Sequence, residues 1–112
     1  MSEFDGYDMF LEQKKAFKSM EKSNNIAYEK DIEKAGHDKD YEIELAKKIL
    51  LLREDGMQVA IVEKVAKGDP DIAQIKLQSA LCEAESRAAK ENINIKKKLF
   101  DSIEATKKRE LG

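Results

Sequence analysis

The sequence contains one cysteine, one histidine, one proline and no tryptophan, and its aromatic residues are three Tyr and four Phe. A zinc site of the usual Cys/His type needs several such ligands, so His37 and Cys82 cannot build one within a single chain. The lone Cys82 cannot close an intrachain disulfide. A Ser/His/Asp triad would have to use His37, which the sequence places in a loop with no nucleophile elbow beside it. Neither the glycine-rich phosphate loop nor the dinucleotide-binding glycine pattern occurs. The longest apolar run, Ile49-Leu50-Leu51-Leu52, falls far short of the ~20 residues that cross a bilayer. The chain opens Met1-Ser2-Glu3-Phe4-Asp5, acidic where a signal peptide is basic. A cytoplasmic protein with no membrane partner, no metal and no cofactor is the expectation.

Charge of one sign is also lacking. The net charge of −2 favours neither nucleic acid nor a membrane surface for the whole chain. Its distribution is uneven, with net −5 over residues 1–45 and net +4 over residues 87–112. Two antiparallel arms would bring these ends side by side, where opposite signs attract. Complementary solvated faces are the preferred reading, and a basic helix open to a phosphate-bearing partner is the alternative.

What is present is helix-forming material. Ala, Glu, Lys, Leu and Arg fill half of the 112 positions, a composition that marks long helices or coiled coils. Leu, Ile, Val and Phe recur at helical spacing, which a disordered charged segment would not show. Lys67-Gly68-Asp69-Pro70-Asp71 reads as a stop followed by a restart. Gly68 suits the C′ position with positive φ, Asp69 the N-cap, and Pro70 the first helical position. Glu54-Asp55-Gly56 ends the preceding helix. The expected order is an N-terminal helical arm over 1–55, a short connector helix over 57–67 and a long C-terminal helix over 70–110, forming one domain. Ser23-Asn24-Asn25 and Gly36-His37-Asp38 are possible breaks in the first arm. Phe10, Leu11, Phe17 and Met20 form an apolar face there, continued by Tyr41, Leu45, Ile49 and Leu52. The fold class is all-α: an antiparallel hairpin of long helices, or a small bundle, with a short connecting helix, as an oligomer.

On the last helix, a turn of 100° per residue puts Leu77, Leu81, Ala84, Ala88, Ile95 and Leu99 in one stripe. Ile75, Cys82, Ala89, Ile93 and Phe100 fall in a second stripe about 120° away. One neighbour covers one stripe. The N-terminal arm is expected to cover the Leu77–Leu99 stripe, leaving the second as the candidate interface for self-association or a protein partner. Cys82 within it reads as a buried small hydrophobe, because Glu83 and Glu85 disfavour a thiolate.

Other constellations read as solvated surface. Asp38, Asp40, Glu42 and Glu44, and Glu83 with Glu85, are dense in carboxylate, but no Glu-x-x-His accompanies them. Lys90, Lys96, Lys97, Lys98, Lys107, Lys108 and Arg109 are the candidate nucleic-acid contacts. Lys96-Lys97-Lys98 points three ways on a helix, however, and lacks an aromatic platform. A helix-turn-helix over Gly56–Ile72 would present Asp71, Gln74 and Gln78, too acidic an entry for a groove lined by phosphates.

Residues 50–112 carry Leu51-Leu52-Arg53-Glu54-Asp55-Gly56-Met57, then Ala66-Lys67-Gly68-Asp69. A long helix follows, with Lys96-Lys97-Lys98-Leu99 and then Lys108-Arg109-Glu110. This region resembles small uncharacterised helical proteins of bacteriophages and prophages of Gram-positive bacteria. The resemblance implies a helical accessory protein of a mobile element, and brings no activity or functional residue with it. The leading expectation is a non-enzymatic interaction or scaffold protein forming a homo-oligomer. The alternatives are a nucleic-acid-binding accessory protein using the basic C-terminal helix, and a prefoldin-like holdase. β-Hairpins at the centre of the chain would favour the holdase.

Overall fold

The structure, a computed structural model, describes residues 6–111. It contains helix α1 (Gly6–Glu54), helix α2 (Val59–Lys67) and helix α3 (Pro70–Leu111), with no strand among the described residues. The all-α class is as the sequence predicts. The chain divides into two compact units, one of residues 1–28 with 85–112 and the other of residues 29–84. In each unit α1 packs against α3 in antiparallel sense.

Helix boundaries follow from local chemistry. At the end of α1, the Met57 N–H donates to the Leu52 carbonyl at 3.0 Å and the Gly56 N–H to that of Arg53 at 3.0 Å. This six-to-one and five-to-two pairing is a Schellman motif, and it requires the positive φ of 95° that Gly56 adopts. The Arg53 guanidinium donates to the Met57 carbonyl at 2.6 Å and covers the turn. Helix α2 begins two residues beyond the expected start, with Met57 and Gln58 left in the link. Gly68 departs from expectation: its φ is −81°, an ordinary right-handed value. Its N–H instead shares the Lys64 and Val65 carbonyls at 3.2 and 3.1 Å, so the last turn tightens without reversing. Asp69 is the expected N-cap of α3, accepting from the Asp71 N–H at 3.0 Å and the Ile72 N–H at 3.3 Å.

Neither possible break interrupts α1. Ser23 is buried and uses its hydroxyl to accept from Asn92 at 2.7 Å. Gly36 faces open space and costs a helix about 1 kcal/mol without ending it. Asp38 bonds Lys34 at 2.7 Å and Ser79 rather than capping a new helix. His37 therefore lies in the middle of a helix and not in a loop.

Apart from Met9, the residues that α1 buries are small or polar. Met9, Gln13, Ala16, Ser23 and Ala27 are its buried positions, spaced by three, four or seven residues. Phe10 and Phe17, expected on the packed face, are more than half exposed, at 55% and 58%. Tyr41, Leu45, Ile49 and Leu52 are half-buried, as their predicted face requires. On α3 the buried positions are Ile72, Ser79, Cys82, Ser86 and Ala89. Val62 and Ala66 of α2 complete the core of the second unit.

Candidate functional site

The contacts between α1 and α3 form a ladder of polar groups. In the first unit, the Gln13 amide donates to Glu104 at 2.8 Å and to the Phe100 carbonyl at 3.3 Å. Its oxygen accepts from the Lys107 ammonium at 2.9 Å. Asn92 donates to Ser23 and, at 3.2 Å, to Ser19. In the other unit the Cys82 thiol donates to Glu33 at 3.6 Å, Ser79 bonds Asp38, and Lys48 pairs with Asp69 at 3.3 Å. The Lys76 ammonium stands 5.7 Å from the centre of the Tyr41 ring. No buried side-chain nitrogen or oxygen among the described residues lacks a partner. Such a ladder fixes register, because sliding one helix by a turn would orphan several groups together.

The carboxylates of the ladder are held in their charged form. A hydrogen bond from Lys34, then one from Ser79, keeps Asp38 below the usual carboxylate range, and the same Lys34–Asp38 hydrogen bond raises Lys34. Asp69 is lowered first by the Ile72 N–H of its cap and then by Lys48. Glu104 is lowered by Gln13 and then by the charge of Lys107, and Glu33 by Lys30. Each of these carboxylates is engaged by a donor, an arrangement that suits a structural role. No group of three or more His, Cys, Asp or Glu among the described residues could hold a metal ion. No helix among the described residues is long and apolar enough to cross a membrane.

The two stripes of α3 are placed the other way round from expectation. Cys82 and Ala89 are buried, and Ile75, Ile93 and Phe100 are half-buried, on the face turned to α1. The expected interface is thus the seam of the hairpin. The Leu77–Leu99 stripe is the one left outside, with Leu77, Leu81, Ile95 and Leu99 exposed at 50%, 46%, 54% and 42%. Ala84 and Ala88 between them are exposed too. Two helices readily enclose an Ala, Ser or Cys, whereas most large side chains here keep an edge in solvent, Met9 and Ile72 excepted. The small residues therefore mark the seam, and the signal was present in Ala16, Ser23, Ala27, Ser79, Cys82, Ser86 and Ala89.

The basic residues of α3 differ in exposure. Lys90, Lys97, Lys98, Lys108 and Arg109 are exposed, whereas Lys96 and Lys107 are half-buried. Lys107 is engaged with Gln13 and lies 3.7 Å from Glu104. Arg109 donates to Thr106 at 3.3 Å. Compared with known proteins, the chain matches no family model, no curated protein and no solved structure.

Proposed function

We propose that this chain is a non-enzymatic helical interaction protein that works by self-association and by holding protein partners on the outer face of α3. The observation that carries the reading is the stripe of Leu77, Leu81, Ile95 and Leu99, each about half exposed. Fully burying a Leu or Ile contributes roughly 1.5–3 kcal/mol. Four such side chains in line on one helix, flanked by charged residues, have the pattern of a face that meets another helix. The centre of the hairpin seam is already occupied by small residues and a polar ladder whose groups are paired. A nucleic-acid role would draw on the basic residues of α3, and Lys107 among them is already engaged with Gln13 across the seam. A holdase of the prefoldin type is supported less, since the centre of the chain is helix α2.

An intracellular accessory role in a phage or prophage belongs to the same proposal and rests on the resemblance of residues 50–112. Genes of phage type beside the coding sequence would support it, and a purely cellular neighbourhood would count against it. The self-association itself is tested by sedimentation velocity at micromolar concentration. The wild type is expected to run as a dimer or larger. Leu81→Glu with Ile95→Glu is expected to run as a monomer with its helical circular dichroism unchanged, because both side chains point away from the seam. A wild type that stays monomeric at high concentration refutes the reading.

A further inference from the structure

We infer that the occupant of the α3 outer stripe is a second copy of this chain, lying antiparallel and centred on Ala88. The inference rests on the self-association proposed above and adds its geometry. Leu77 and Leu99 stand eleven residues either side of Ala88, and Leu81 and Ile95 stand seven either side. Seven and eleven residues are close to two and three helical turns, so all five positions share one face. The exposed large side chains therefore have a two-fold pattern: large at the outer positions, small at Ala84 and Ala88. A two-fold interface requires such self-complementarity, since each residue must meet the one placed symmetrically on the other copy. Leu77 of one copy would meet Leu99 of the other, Leu81 would meet Ile95, and Ala88 would meet Ala88. The small centre lets the two helices approach closely where they cross the axis.

Charge decides between this arrangement and a parallel one, in which every residue would meet itself. Residues 70–87 carry three acidic and two basic side chains, whereas residues 89–111 carry seven basic and four acidic. A parallel pair would set +3 against +3. The antiparallel pair sets −1 against +3 at both ends, and it also opposes the two helix dipoles. The compact units differ in the same way, residues 29–84 having net −4 and the remainder net +2.

Disulfide trapping tests the register. In a Cys82→Ala background, Leu77→Cys and Leu99→Cys are made separately, mixed and oxidised, with helicity checked by circular dichroism. The mixed 77–99 product is expected to exceed either homodimer severalfold, and Ala88→Cys is expected to cross-link with itself. A spin label at position 77 supplies a measurement that needs no reactive geometry. Its partner label should lie about 33 Å away along the helix, from 22 residues at ~1.5 Å each. Predominant 77–77 and 99–99 products, with a short label distance, overturn the antiparallel register while leaving self-association standing. A dimer by sedimentation that yields none of these cross-links overturns the choice of face. A monomer by sedimentation overturns both the inference and the reading beneath it.

Discussion

At the residue scale, the two glycines beside the connector have different jobs. Gly56 holds a φ of 95°, and no neighbouring atom lies within 4 Å of where its Cβ would be. A side chain there meets no obstacle, so any cost of replacing it is conformational. Gly68 has a right-handed φ, and its added Cβ would touch the Val65 and Lys64 carbonyls at 3.5 and 3.6 Å, ordinary contact distances. Gly56→Ala is therefore expected to destabilise the chain by about 1–2 kcal/mol, the cost of a left-handed conformation for an L-residue. Gly68→Ala is expected to be neutral, or stabilising by a few tenths to about 1 kcal/mol through the unfolded chain. Urea denaturation of the two variants beside the wild type checks both, and equal losses would contradict the assignment. Sequence alone identified both glycines as helix stops. It gave the positive φ to Gly68 rather than Gly56, since which one reverses the backbone depends on whether the next helix restarts at once, as after Gly68, or after a link.

At the element scale, the helix ends were legible and the helix faces were not. Asp69-Pro70 and Gly56 are local signals, written within a few residues and read by the backbone N–H and C=O groups beside them. Facing is a tertiary property. Ranking by hydrophobicity puts Phe10, Phe17 and Leu81 inside, but a seam between two helices selects for size, and Ala16, Ser23, Ala27 and Ala89 win it. Ser23 and Asp38 looked like helix breakers because their side chains compete locally for backbone groups. Across the seam they find Asn92 and Ser79 instead, which is information from 69 and 41 residues away. Neighbouring substitutions on α1 expose the distinction. Ala27→Leu forces a large side chain between the helices and is expected to cost about 1–3 kcal/mol in chemical denaturation, despite a gain in hydrophobicity. Tyr28→Ala, at an exposed position, is expected to change stability by no more than about 0.5 kcal/mol. The reverse order would mean that the packed face of α1 is turned by one residue.

At the scale of the whole molecule, the fold class came through from composition, because half the residues being strong helix formers constrains architecture directly. The proposed docking surface did not, because a docking face has no residue signature apart from the core-facing stripes it imitates. Both α3 stripes are apolar at helical spacing, and only the position of α1 tells them apart. That ambiguity has a thermodynamic consequence that separates the two possibilities. If the Leu77–Leu99 stripe is buried between copies, unfolding must also dissociate them, and apparent stability then depends on chain concentration. Each tenfold rise in concentration adds about 1.4 kcal/mol per dimer, or ~0.7 kcal/mol per chain, by mass action. At roughly 4–8 °C per kcal/mol for a small domain, the melting midpoint should climb by a few degrees for every decade above the dissociation constant. Leu81→Glu with Ile95→Glu should flatten that slope to zero. At low concentration, where the wild type is also dissociated, the double variant should melt close to it, since neither side chain supports the seam. A wild-type midpoint independent of concentration over two decades would show that the stripe remains in water. A double variant melting far below the wild type at every concentration would place Leu81 and Ile95 in the core of the hairpin.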